Sequence, residues 1–200
     1  MGQTAKTRFR IDGSSYDGEA LLETSEVILR GGKRMRIPFA SIEALRTDGA
    51  ALAFASGGSE IRIEGAAKWL EKIRNPKSVI EKLGVKPGQK IALLGVDDDA
   101  FARQLESAGA TVARGRAAKN TDAIFFGADE RADLVRLPKL RQSLAPNGAL
   151  WIIRPKGVER ITESEVMAAG KAAGLVDVKV VRFSETHTAE KFVIPVSDRR

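Results

Sequence analysis

The chain has 200 residues, 43% of them hydrophobic, no cysteine, and a formal net charge of +7 with a pI near 9.8. This composition excludes a disulfide framework, a thiolate metal site and a cysteine nucleophile, and it is too apolar for chain-wide disorder. No apolar run approaches the ~20 residues of a membrane span. The opening Met1–Arg8 has no apolar core of a secretory signal, so a cytoplasmic location is expected. The positive charge permits acidic partners, including a protein partner. It is spread over both halves rather than gathered in one arm, so specific nucleic-acid recognition is not expected.

Up to about Gly65 the hydrophobic period is close to two. Phe9 and Ile11, Val27 and Leu29, Met35 and Ile37, Leu52 and Phe54, and Ile61 and Ile63 alternate with polar or small residues, as in half-buried antiparallel strands. Glycine-rich breaks separate them, and Gly31–Gly32 reads as a two-residue hairpin loop. The period then changes. Ala66, Trp69, Leu70 and Ile73 lie at i, i+3, i+4 and i+7, the apolar stripe of a helix. Six or seven short strands followed by one such helix resemble a PH-like barrel, with Trp69 on the face that would plug its open end. The Arg34–Glu43, Leu52–Phe54, Ile61–Ile63 and Lys68–Ile73 segments carry this resemblance.

A second helix is expected over Pro76–Leu83, with Asn75 as N-cap, Pro76 at its first position and Gly84 ending it. Beyond it strands and helices alternate. Gln89–Gly95 is a nearly continuous apolar strand, followed by a helix bearing Phe101, Leu105 and Ala108. A short strand at Ala110–Arg114 and a longer one at Thr121–Gly127 come next. A helix from about Pro138 to Leu144 leads to a buried strand at Ala149–Ile153. Thr162–Glu165 is a capping box opening a helix through Ala173, with Gly174 at its C-cap. Strands at Asp177–Arg182 and Lys191–Val196 close the chain as an antiparallel pair. Repeated strand–helix–strand units imply a parallel sheet flanked by helices.

This second part resembles the class I SAM-dependent methyltransferase superfamily, in particular its short bacterial members. The resemblance rests on Thr121–Gly127, Leu140–Gly148, Trp151–Gly157 and Ala173–Val180. The expected fold is α/β: a PH-like barrel with its C-terminal helix over residues 1–75, then a shortened methyltransferase-like Rossmann domain over 76–200, ending in an antiparallel hairpin. In active members a glycine-rich loop follows the first strand, and here it reads Leu94–Gly95–Val96–Asp97–Asp98–Asp99. Where such members have an acidic residue for the ribose hydroxyls, this chain has Arg114–Gly115–Arg116, which are donors only. The interval Gly115–Asn120 is too short for the helix and third strand that would normally intervene. Phe126–Gly127–Ala128–Asp129 lacks an amino-methylating motif.

The candidate ligand cleft is therefore Gly95, Asp97, Asp98, Arg114, Arg116 and Gly127. The three aspartates could receive a cation or metal at the sheet's C-terminal edge, or could cap the following helix and favour its positive end. Capping is the stronger reading, because a hard metal needs several more oxygen ligands. Lys33, Arg34 and Arg36 form a candidate anion site, with a solvated sheet face as the competing reading. His187, the only histidine, is placed in the terminal hairpin's turn without a nucleophile elbow near it. Trp151, Phe125 and Phe126 are expected in the core. These features point to a non-catalytic binding or interaction protein with no cofactor and no metal. A divergent methyltransferase using SAM, or a binder of anionic surfaces such as RNA or lipid head groups, are the alternatives.

Overall fold

The computed structural model describes residues 3–199, which fall into two compact units, Met1–Lys77 and Ser78–Arg200.

The first unit is a curled, wholly antiparallel sheet of seven strands: β1 (Gln3–Ile11), β2 (Ser14–Leu22), β3 (Glu26–Gly31), β4 (Met35–Pro38), β5 (Glu43–Asp48), β6 (Ala51–Ser56) and β7 (Ser59–Ile63), in the order β4-β3-β2-β1-β7-β6-β5. The period-two residues turn inward together: Phe9, Val27, Leu29, Leu52, Phe54, Ile61 and Ile63 are fully buried. A 3-10 turn at Ala67–Trp69 runs into α1 (Leu70–Arg74). It buries Ala66, Trp69 and Ile73 against this core, as the helical stripe required. The Gly31–Gly32 hairpin is corrected. Leu29 pairs with Met35, so the loop spans the five residues between them. Gly31 instead stays paired with Gly18, where the backbones lie so close that a Cβ on Gly18 would stand 2.0 Å from the Arg30 carbonyl oxygen. β5 had no alternation to announce it, because nearly all its residues are exposed and its pairing with β6 is broken by a register shift.

In the second unit α2 is Val79–Leu83, shorter than the expected Pro76–Leu83 helix, and its N-cap is Ser78 rather than Asn75. Ser78 accepts from the Glu81 amide while Glu81 accepts from the Ser78 amide, and that reciprocal pair fixes the start. Six strands then form a mixed sheet: β8 (Lys90–Leu94), β9 (Thr111–Arg114), β10 (Thr121–Gly127), β11 (Leu144–Pro155), β12 (Val176–Arg182) and β13 (His187–Val193), ordered β12-β13-β11-β10-β8-β9. β9, β8, β10 and β11 are parallel, while β13 runs antiparallel between β11 and β12. No strand lies between β9 and β10 in the chain.

Helices α3 (Asp99–Ser107), α4 (Leu137–Arg141) and α5 (Glu163–Ala172) accompany this sheet. One face carries Leu94, Phe126, Ile152 and Phe192 with Val166 of α5; the other carries Leu93, Phe125, Trp151 and Val181 with Phe101 and Leu105 of α3. Two helix-side expectations change. α4 ends at Arg141, and Leu144 already belongs to β11, which therefore runs for 12 residues. β13 begins at His187, four residues earlier than expected, so the histidine opens the strand opposite Pro155 instead of lying in the turn.

Candidate functional site

The strand order reverses between β8 and β10: from β8 the chain moves outward to β9, then returns to β10 on the other side. In open α/β sheets the crevice outside the carboxyl ends of such strands is where ligands bind. Gly95 follows β8 with φ +65°, and Gly127 ends β10. The structure brings these two together so closely that a Cβ on Gly127 would stand 2.0 Å from the Gly95 carbonyl oxygen. Real Cβ atoms never come that near another heavy atom, so position 127 admits only glycine beside the β8 end.

The neighbouring acids have local partners. Asp98 is the N-cap of α3, accepting from the Phe101 amide at 2.9 Å. Asp99, in the first turn, pairs with Arg114 of β9 at 2.7 Å. Asp97 is exposed, as is Arg116 beyond Gly115. Among the described residues no three or more acids, histidines or cysteines converge as a metal site would require. At the neighbouring β9 end Arg114 and Arg116 are donors only, and the carboxylate of Asp99 is tied to Arg114.

In the first unit, Ile28, Leu29, Arg30, Arg34, Met35 and Arg36 line a cleft of about 470 Å3. Lys33 and Arg34 are exposed beside it. Arg36 holds Glu26 through two hydrogen bonds of 2.9 and 2.5 Å, so its charge is matched within the fold.

The functional residues that sequence reasoning missed lie on β11 and β13. Arg154 is 7% exposed and Glu190 is fully buried. Pairing of Ile152 with Glu190 and Arg154 with Thr188 puts both charges on the face that carries Phe192 and Val166. The Arg154 Nε and a Glu190 carboxylate oxygen are 3.0 Å apart, yet neither that nitrogen nor either Glu190 oxygen has an aligned hydrogen-bond partner. Burial pushes the Glu190 carboxyl up to about 7; Arg154 opposes the shift and Glu163 adds to it. Glu163, in the first turn of α5, stands 3.7 Å from Arg154 Nη2. α5 reaches this position because Gly170 admits the Phe192 ring, which a Cβ would meet at 2.3 Å, and because Thr162 and Glu165 form the expected capping box. The available signal was alternation: Leu150, Ile152, Arg154 and Thr188, Glu190, Phe192 place opposite charges on one inward face. A strand begun at Lys191 left Glu190 outside the pattern.

Residues 80–196 match the family described as proteins of unknown function, DUF3052. The chain belongs to that family. No curated protein matches it in sequence. Among solved structures it is similar to a SAM-dependent methyltransferase from Aquifex aeolicus, with 17% identity and a TM-score of 0.50 over 61% of this chain and 92% of the other. It is also similar to the 1,6-didemethyltoxoflavin-N1-methyltransferase of Burkholderia thailandensis, with 12% identity and a TM-score of 0.47 over 57% and 73% of the two chains. A SAM-dependent O-methyltransferase of Thermotoga maritima is similar at 10% identity and a TM-score of 0.46, over 86% and 93%. The Aquifex likeness establishes a Rossmann-like, methyltransferase-like fold and nothing about chemistry.

Along the carboxyl edge of this DUF3052 sheet, then, one strand end is close-packed main chain and another is polar. Arg154, Lys156, Gly157, Val158, Ile161, Thr162, Glu163 and Thr188 line a cleft of about 450 Å3 at the end of β11. Lys156 donates to the carbonyl of Ser184 at 2.8 Å, and burial followed by nearby Arg182 lowers its pKa. Arg154 and Lys156 are thus the cations that line this cleft.

Proposed function

We propose that the chain is a non-catalytic binding protein in which a methyltransferase-like scaffold works without SAM. The observation that carries this reading is the loop after β8, where Gly95 is followed by Asp97, Asp98 and Asp99 in place of further glycines, Asp98 capping α3 and Asp99 paired with Arg114. The arginines at the β9 end favour the same reading, since they offer no acceptor to ribose hydroxyls. The first unit serves as a PH-like barrel fused to this module, a reading supported by its seven-strand antiparallel order and by the buried Trp69 beside Ile73. Among the described residues no helix is long and apolar enough to cross a membrane. Calorimetric titration of the full chain with SAM and S-adenosylhomocysteine tests the proposal. No saturable heat is expected, and micromolar affinity for either would overturn it in favour of a divergent methyltransferase.

A further inference from the structure

We infer that the cleft at the carboxyl end of β11 is a binding site for a small organic monocarboxylate, which Arg154 grips in place of Glu163. The inference rests on the binding-module reading and names the ligand class of that module.

Three features carry it. The first is an incomplete buried pair. A guanidinium and a carboxylate placed in a protein interior for structure alone are stable when their hydrogen bonds are satisfied. Here Arg154 Nε meets a Glu190 oxygen at 3.0 Å without good alignment, while the rest of the guanidinium lies on the cleft wall with its side chain 9% exposed. Of its five N–H groups, one is directed at the Pro155 carbonyl oxygen at 3.3 Å. Glu163, at 3.7 Å from Nη2, is beyond hydrogen-bond reach.

The second feature is the identity of the group already there. Glu163 holds its carboxylate against Arg154 from the surface, with its side chain 64% exposed. A carboxylate therefore fits the approach sterically and electrostatically, and an exposed side chain can swing aside for a better-placed one. The third is the wall. Val158, Ile161 and Gly157 surround the approach with apolar surface, which suits a short alkyl chain. The volume of about 450 Å3 lies in the range of small-molecule sites. A phosphate dianion is disfavoured relative to a monocarboxylate, because its second charge would stand against Glu190 with Arg154 as the one facing guanidinium.

The probe is sodium butyrate, titrated into full-length 15N-labelled protein, with butylamine and inorganic phosphate as controls. Butyrate is expected to shift the amides of Gly157, Val158, Thr162 and Glu163 saturably, with an affinity weaker than that of evolved ligands. Glu163→Gln removes the internal competitor without disturbing the core. It is expected to tighten butyrate by about two- to fivefold, the weight of an exposed ion pair. Arg154→Lys keeps a cation beside Glu190 but loses the fork, and is expected to abolish the shifts while the spectrum stays folded.

Shifts elsewhere, no shift at tens of millimolar, or unchanged or weaker binding in Glu163→Gln would overturn the inference. Phosphate or butylamine binding more tightly than butyrate at these amides would overturn the carboxylate assignment. The SAM titration is independent. SAM binding would remove the binding-module reading whatever butyrate does, whereas butyrate silence with SAM silence removes this inference alone.

Discussion

Two strand ends on one sheet edge contrast sharply. At β8 and β10 main chain packs on main chain, with Gly127 admitting the Gly95 carbonyl where any side chain would collide. At β11 the edge stays open, and side chains of opposite charge stand beneath α5. Both places lie at the carboxyl edge of the same parallel strands, where the fold offers positions for ligands. The difference teaches that topology supplies candidate positions, and that occupancy by backbone or by side chain selects among them.

Removing the charge at the open end should have the largest effect. Arg154→Met leaves Glu190 buried without its cation, and breaking a buried pair costs about 3–5 kcal/mol. The pH dependence gives the sharper test. In the folded protein Glu190 has a carboxyl pushed up to about 7, above its ordinary 4.5, so the folded state holds this proton more tightly than the unfolded chain does. Its contribution therefore favours folding at low pH and is lost as pH rises from the unfolded value through about 7. Without Arg154 the carboxyl rises further. Urea unfolding should show a loss larger at pH 8 than at pH 5, by up to about 1.4 kcal/mol, because Glu190 is protonated in the folded protein at the lower pH. A loss independent of pH would mean that Arg154 acts through packing alone.

The closed end should respond to volume rather than charge. Gly127→Ala forces the β8 and β10 ends apart, an overpacking cost of about 1–3 kcal/mol or more where backbone is the obstacle. Hydrogen exchange should show weakened protection in β8 and β10, with no gain of SAM binding and no pH dependence. Normal protection in this variant would mean that the two backbones are not in contact.

The smallest effect separates capping from ligand binding in the aspartate run. Asp98→Ala should cost about 1 kcal/mol, as loss of an N-cap does, and Asp98→Asn should recover most of it. Thermal unfolding of the two variants decides this. A loss that asparagine does not restore would assign the carboxylate a role beyond capping α3.

Much of this was legible in the chain because it depends on periodicity. Phe9, Val27, Leu52 and Ile61 alternated and became one core; Ala66, Trp69 and Ile73 recurred at helical spacing and closed against it. Thr162 and Glu165 announced α5, and the continuous apolar runs around Leu93, Phe125 and Trp151 announced strands buried on both faces. Such patterns are local, since the period of a strand or helix is set by its own backbone geometry.

What the sequence by itself determined is which segments alternate and which recur at 3.6. Only the tertiary structure decided that Gly95 meets Gly127, that Ser78 and not Asn75 starts α2, and that Arg154 and Glu190 share one face. The reason is physical. Arg154 and Glu190 lie on different strands, and their contact depends on the register of β11 against β13, in which a one-residue slip would send both side chains to the other face. The close approach of two glycines likewise depends on how adjacent strands end, which no single strand's pattern records.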